Sequence, residues 1–179
     1  MSDDSEPRYR MSAILLHWLT VLAILCAVPL GKMLEHPPQG WGDTLYRLHW
    51  SFGMLVLYLW VFRFANRIIG GAPPPYEGLT SMEKLLSGVV HLALYALLFL
   101  APLLGWLGKS AYGGEITVFG LFNMPRLLGQ DEALAKQLLG FHKLAVKALI
   151  ACILLHVAGA MNHLIIRRDG VMRRMLPGK

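Results

Sequence analysis

The sequence has few charged residues and almost no cysteine. Asp, Glu, Lys and Arg make up 16% of its 179 residues, whereas about a quarter is usual for a soluble domain. The two cysteines, Cys26 and Cys152, both lie in apolar stretches and are interpreted as packing residues, since they cannot build a disulfide framework. The chain also lacks a Gly-rich nucleotide-binding pattern and a Ser/His/Asp constellation, so neither class of enzyme is indicated.

Hydrophobic residues, in contrast, make up 55% of the chain and fall into four long blocks. The blocks cover roughly residues 11–31, 44–67, 86–107 and 138–166, each near or above the ~20 residues that a helix needs to cross a bilayer. Clusters of proline and polar residues separate them: EHPPQGWGD, GGAPPPYEG and GLFNMPRLLGQDE. The pattern predicts an all-α integral membrane protein, a bundle of four transmembrane helices that forms one domain over residues 1–179.

The positive charges predict how this bundle is oriented. Arg8 and Arg10 precede the first block, which is too long for a secretory signal and is interpreted as a retained anchor. Lysine and arginine are more frequent at the N-terminus, after the second block and in the C-terminal tail than in the other connections. This bias predicts that both termini are cytoplasmic. A basic inner rim that faces anionic membrane lipid explains the net charge of +6, so no nucleic-acid partner is needed.

Six of the seven histidines lie in the apolar blocks, where ionisable side chains are costly and usually functional. The predicted orientation places His49 and His142 toward the outer side, and it places His17, His91, His156 and His163 toward the inner side. His142 and His156 are separated by about 21 Å along one helix, and both point to the same helix face. One helix therefore presents imidazoles at two depths.

Histidines at matching depths predict two stacked haem sites. A haem with two axial imidazoles takes one histidine from each of two helices. We expect His49 to pair with His142 as the outer ligands and His17 with His156 as the inner ligands. The haems are expected to be non-covalent, because the chain has no Cys-x-x-Cys-His sequence. Zinc is the alternative metal, but it prefers four ligands at one point, and any single histidine could instead be a hydrogen-bonded core residue.

Six segments that span nearly the whole chain carry a family resemblance. They are YRMSAILLHWL (9–19), LHWSFGMLVLYLWVFRFANR (48–67), HLALYALLFLAPLLGW (91–106), FGLFNMP (119–125), FHKLAVKALIACILLHVAGAMNH (141–163) and DGVMRRMLPGK (169–179). Together they resemble the bacterial cytochrome b561 family, small four-helix dihaem proteins of the inner membrane that include the superoxide oxidase. The family's axial histidines match the four predicted ligands. Family members often carry paired histidines where this chain has His163 followed by Leu164.

The resemblance implies an activity as well as a fold. It implies an oxidoreductase of the bacterial inner membrane in which two b haems pass electrons between the periplasmic face and the quinone pool. Superoxide, or another periplasmic molecule, is the expected donor, and ubiquinone is the expected acceptor. The alternative is an electron-transfer cytochrome b subunit that docks a dehydrogenase or a soluble cytochrome. The short loops favour the first function, because they offer little docking surface.

A quinone site is predicted near the inner side of the membrane. Arg167 lies one turn beyond His163 on the same helix face, and His91 is expected at a similar depth. An imidazole and a guanidinium beside an apolar slot could hydrogen-bond a reduced quinone. The alternatives are that Arg167 binds a lipid phosphate or a haem propionate, and that His91 bonds a neighbouring backbone group.

Cations near the outer ligands are predicted to attract superoxide, which is an anion. These residues are Arg47, Lys143 and Lys147. The two lysines could instead extend to water or neutralise haem propionates. Tyr112, Phe119 and Phe122 lie in the longest outer loop, which is expected to cover the outer haem.

Overall fold

The computed structural model describes residues 8–176 and contains four long helices in that range. They are α1 (Met11–Met33), α2 (Gly42–Gly70), α3 (Ser81–Ala111) and α4 (Glu132–Met161). All four, with α4 continued to Arg167, are long and apolar enough to cross a membrane. The predicted all-α bundle of four transmembrane helices is therefore confirmed. Residues 1–7 and 177–179 of the predicted domain lie outside the described part of the chain.

The helices extend beyond the apolar blocks because polar residues begin and end them. α3 starts with a capping box, in which the Thr80 hydroxyl accepts from the Glu83 N–H while the Glu83 carboxylate accepts from the Thr80 N–H at 2.8 Å. The Asp131 carboxylate caps α4 by accepting from the Leu134 N–H. α2 ends before Gly71, whose φ of 68° favours glycine.

The bundle has a thin apolar core and an apolar outer surface. α1 packs mainly on α2, α3 packs mainly on α4, and α2 also contacts α3. The central core consists of Ala23, Val56, Leu59, Leu98 and Leu149. Large apolar side chains point outward from all four helices, among them Leu22, Ile68, Leu92 and Leu154. A surface of this kind suits lipid, and helices satisfy their own backbone hydrogen bonds there.

Both described chain ends lie at the same end of the bundle, which we call the terminal end and define by the start of α1, the loop 71–80 and residues 172–176. The Tyr9 N–H donates to the Arg174 carbonyl, and the Trp18 indole donates to the Met175 carbonyl at 2.8 Å. The buried Arg174 guanidinium donates to the Pro74 carbonyl at 2.7 Å. The two chain ends thus share one side of the membrane, and their cytoplasmic location stays a prediction.

The opposite end, which we call the hairpin end, carries a small antiparallel hairpin. Strand β1 (Ile116–Val118) pairs with β2 (Phe122–Met124), where the sequence predicted only a loop. Phe119 and Gly120 turn the chain with φ of 49° and 75°. The Phe119 N–H donates to the buried Ser51 hydroxyl at 2.8 Å, and the Phe119 ring lies 5.2 Å from the Phe52 ring. These contacts fix the hairpin against α2.

Candidate functional site

Two histidines face each other at the hairpin end. The rings of His49 on α2 and His142 on α4 have centroids 6.1 Å apart. His49 Nδ1 lies 2.9 Å from the Ala27 carbonyl oxygen, and His142 Nδ1 lies 2.7 Å from the Ala101 carbonyl oxygen. A carbonyl can only accept, so each Nδ1 carries the proton and each Nε2 keeps its lone pair. This is the tautomer that a histidine needs to bind a metal through Nε2.

A glycine one helical turn beyond each of these carbonyls packs directly against the histidine ring: Gly31 against His49 and Gly105 against His142. A Cβ on Gly31 would lie 2.7 Å from His49 Cε1, and a Cβ on Gly105 would lie 3.3 Å from His142 Nδ1. The two segments are AVPLG (27–31) and APLLG (101–105), and both have alanine and glycine four residues apart. These contacts were not predicted, although the repeated spacing of alanine and glycine is a signal in the sequence that could have indicated them.

A cavity beside His49 and His142 has mostly apolar walls. Its lining also includes Trp50, Gly53, Met54, Pro102, Gly105, Trp106 and Ile116. Gly53 leaves its side open, because a Cβ there would meet no atom within 4 Å. Ile116 brings strand β1 to the cavity, while Phe122 packs near Tyr58. The predicted outer loop thus covers this end of the bundle, and a flat apolar ring fits the character of the walls.

A second pair of histidines lies at the terminal end. The rings of His17 on α1 and His156 on α4 have centroids 6.3 Å apart. This separation is close to the 6.1 Å of the His49–His142 pair, so the two ends of the bundle carry histidine pairs of similar spacing. His91 also approaches His156, but at 5.1 Å, which is shorter. His91 Nδ1 lies 2.6 Å from the Ser87 carbonyl oxygen, as the backbone-bond alternative predicted.

Arg63 on α2 is a site residue that sequence analysis missed. Its Nη2 atom lies 3.5 Å from His17 Nδ1, and its side chain is half-buried. It lines a cavity together with Tyr9, Ala13, Asn66, Arg67, Gly71, Tyr95 and Met175. The spacing from His49 to Arg63 equals that from His142 to His156. That shared spacing is the sequence signal that places Arg63 at the depth of the second pair.

The predicted quinone residues are only partly brought together. α4 continues as a π-helical turn over Asn162–Arg167, after which the chain folds back. His163 Nδ1 lies 2.7 Å from Asp169 Oδ2, with both side chains largely buried. Arg167 Nε lies 3.6 Å from the same oxygen, so Asp169 joins the two predicted residues. His91 lies beside His156 instead and is not part of this group.

Arg167 is also anchored to the start of α3. Its guanidinium forms an ion pair with Glu83 and donates to the Gly78 carbonyl at 2.9 Å. Neither Asp169 nor Glu83 was a candidate from the sequence, because the turn that assembles them has no regular pattern. The Arg167 guanidinium is therefore bound by other residues of the protein.

The predicted superoxide-attracting residues all lie on the surface. Arg47, Lys143 and Lys147 are exposed, and none forms an ion pair within residues 8–176. A further cation was missed: Lys109 Nζ lies 4.3 Å from the centre of the Trp50 ring, which lines the cavity beside His49. These four cations lie toward the hairpin end, where the connecting segments also carry Glu35, Asp43, Glu115, Asp131 and Glu132.

No group of three or more His, Cys, Asp or Glu side chains converges to hold a metal ion within the described range. The four-ligand arrangement that zinc prefers is therefore not offered by residues 8–176. Four membrane-crossing helices around two facing histidine pairs define instead the class of membrane-bound b-type cytochromes.

Comparisons with known proteins agree with this class. The family model for prokaryotic cytochrome b561 matches residues 8–178, and the chain belongs to this family. It is 31% identical over 179 residues to Cytochrome b561 homolog 2 of Escherichia coli (strain K12), covering 98% of this chain and 95% of that protein. The predicted family is therefore confirmed, and with it a b-haem protein of membrane electron transfer.

Two other relatives also match along nearly their whole lengths. Identity is 29% over 180 residues to Cytochrome b562 of Cereibacter sphaeroides, covering 96% of each chain. It is 26% over 172 residues to the Probable superoxide oxidase CybB of Yersinia pestis, covering 96% of this chain and 97% of that protein. The matches support a multi-pass bacterial membrane protein with an oxidoreductase or electron-transfer role.

Proposed function

We propose that the protein holds two b haems and moves electrons from the periplasmic face of the inner membrane to the quinone pool. His49 and His142 are the proposed axial ligands at the hairpin end, and His17 and His156 are those at the terminal end. The observation that carries this proposal is the pair of ring separations, 6.1 and 6.3 Å, at two levels of one bundle. When bound, haem supplies a one-electron carrier at each level.

The protein's own residues prepare the hairpin-end pair for this role. The Ala27 and Ala101 carbonyls hold the Nδ1 protons of His49 and His142, so both Nε2 atoms remain available. Gly31 and Gly105 allow the rings to approach α1 and α3. Ligation would therefore require no change of tautomer at this end.

The proposed orientation places the terminal end in the cytoplasm and the hairpin end in the periplasm. Arginines concentrate at the terminal end, where Arg167, Arg168, Arg173 and Arg174 follow α4. Basic residues of this kind favour the cytoplasmic side during membrane insertion.

Superoxide is the donor that we propose at the hairpin end. Each superoxide anion gives up one electron and leaves as O₂, and a quinone that takes two such electrons and two protons becomes a quinol. With His49 and His142 both holding it, a haem at this end would supply a one-electron acceptor without a site where the donor binds the iron. The support is the cationic surroundings of the cavity and the name of the Yersinia pestis relative.

The quinone is proposed to be ubiquinone and to be reduced at the terminal end beside His163. The Asp169 carboxylate accepts from His163 Nδ1 and orients the imidazole, so that its Nε2 can pass a proton to a quinone oxygen. Arg167 holds Asp169 in place from the other side.

The test is whether purified protein, loaded with haem, reduces ubiquinone when superoxide is the only electron source. We expect haem reduction within the mixing time and quinol formation that superoxide dismutase abolishes. Reduction by a soluble cytochrome or a dehydrogenase, but not by superoxide, would favour the electron-transfer subunit instead.

A further inference from the structure

We infer that Arg63 makes the terminal-end haem the more easily reduced of the two, and so sets the direction of electron flow through the protein. The inference rests on the proposed axial ligation by His17 and His156. It concerns a positioning residue, because Arg63 acts through the His17 ring and the local charge.

The two histidine pairs differ in what surrounds their Nδ1 atoms. At the hairpin end both Nδ1–H groups donate to backbone carbonyls, at 2.9 Å for His49 and 2.7 Å for His142. A ligand that donates in this way becomes more basic. Two basic ligands stabilise ferric iron relative to ferrous iron, so they lower the reduction potential.

At the terminal end neither ring of the proposed pair has a carbonyl partner among residues 8–176. His17 Nδ1 faces the Arg63 guanidinium at 3.5 Å, and a guanidinium can only donate. A His17 that binds a metal through Nε2 carries its proton on Nδ1 and cannot accept from Arg63. It therefore gains no basicity from this neighbour, and it lies next to a full positive charge. Both effects stabilise ferrous iron and raise the reduction potential.

The charge of Arg63 is not neutralised locally. No carboxylate of residues 8–176 forms an ion pair with it, and the Tyr95 ring lies 5.7 Å from its guanidinium carbon. Inside a membrane the surrounding dielectric constant is low, so an unpaired charge acts strongly on a nearby redox centre. The half-buried position makes this effect larger than that of a surface cation.

Cations at the hairpin end do not offset this difference. Lys143 is exposed to solvent, where water and salt screen its charge. Lys109 is held over the Trp50 ring and does not contact His49 or His142. Arg63 is the cation that lies within hydrogen-bond range of a proposed ligand in the described part of the chain. Electrons that enter at the hairpin end are therefore expected to move toward the terminal end.

The experiment is a redox titration of the purified protein, followed by haem absorbance, for the unchanged chain and for Arg63→Gln. We expect Arg63→Gln to reduce the equilibrium constant for reduction of one haem at least tenfold. This corresponds to a fall of about 59 mV in the one-electron reduction potential. The potential of the other haem should not change. Arg63→Lys, which keeps the charge, should largely restore the potential. Arg67→Gln is the matched control, since Arg67 lines the same cavity but is exposed.

The affected haem is assigned in a His142→Ala background, which should retain the terminal-end haem alone. Each titration uses the haem-loaded fraction, so partial loss of haem in a variant does not obscure its potential. If His142→Ala and His17→Ala each remove one haem but Arg63→Gln moves neither potential, or moves both equally, this inference is wrong and the ligand proposal stands. If those histidine variants do not each remove one haem, the ligand proposal itself fails.

Discussion

Gly31 on α1 lies directly against the His49 ring on α2, so close that a Cβ on Gly31 would be 2.7 Å from His49 Cε1. The contact lies one helical turn beyond Ala27, whose carbonyl accepts from His49 Nδ1. The glycine and the carbonyl together determine where the imidazole can be. They explain why His49 faces His142 rather than lipid.

The first prediction is that Gly31→Ala weakens haem binding at the hairpin end. The added methyl group must push the His49 ring away from Ala27 and out of line with His142. Displacing a ligand's supporting group typically costs 10–100-fold in affinity, so we expect the purified variant to carry close to one haem. Pyridine haemochrome analysis measures the haem content.

Gly140→Ala is the control for Gly31→Ala. Gly140 is also in a helix near the hairpin end, and a Cβ there would meet no atom within 4 Å. It should bind as much haem as the unchanged protein. Equal haem content in the two variants would show that the glycine contact does not hold His49 in a ligating position.

The second prediction concerns the number of haems and the ligands at the terminal end. The unchanged chain should bind two haems, and His17→Ala should retain one. His91→Ala should retain both, because the His17 and His156 rings are 6.3 Å apart, close to the 6.1 Å of the other pair, whereas the His91 ring is only 5.1 Å from His156. Haem content and the absorbance of each purified variant give the result. If His91→Ala carried one haem and His17→Ala carried two, His91 rather than His17 would be the ligand that pairs with His156.

Hydropathy and charge were enough to predict the helices of this protein. The four apolar blocks all became helices, and α3 and α4 extended further because Thr80 and Asp131 cap their starts. The facing positions of His49 and His142 followed from depth alone, because helix rise converts residue number into distance along the membrane normal.

Contacts that depend on irregular backbone could not be predicted in this way. The partnership of His163 with Asp169 requires a π-helical turn and a left-handed residue, Arg168, with φ of 52°. The hairpin at 116–124 has strands of three residues each, too short for an alternating pattern to indicate. Arg63 was missed for another reason, because it was interpreted only as a signal of membrane orientation.

The third prediction is that His163→Ala slows quinone reduction without altering either haem spectrum. Loss of a general acid typically reduces a rate by 10²–10⁴-fold, and we expect an effect within this range. Asp169→Asn should slow the reaction less, since the imidazole remains but loses its carboxylate. The measurement is the reoxidation rate of reduced haem after ubiquinone is added in stopped flow.

Ser87→Ala serves as the control for these two variants, because its hydroxyl contacts His91 and not the His163–Asp169 pair. Its reoxidation rate should match that of the unchanged protein. Unaltered reoxidation in His163→Ala, with both haems intact, would place the quinone elsewhere at the terminal end, such as in the cavity lined by Asn66 and Tyr95.

The fourth prediction is that superoxide reduces the hairpin-end haem at a rate that falls as salt rises. An anionic donor is steered by nearby cations, and this steering weakens because the Debye length is only ~10 Å at 0.1 M ionic strength. Lys143→Glu, directly beside His142, should slow the reaction further and make it less sensitive to salt. Lys136→Glu changes the net charge equally, but Lys136 lies nearer the start of α4, away from His142, and pairs with Glu132, so its effect should be much smaller. Pulse radiolysis with haem absorbance gives each rate.

Equal slowing in the two variants would mean that the net charge of the protein, and not the position of Lys143, attracts superoxide. A rate that does not depend on salt would contradict electrostatic steering altogether.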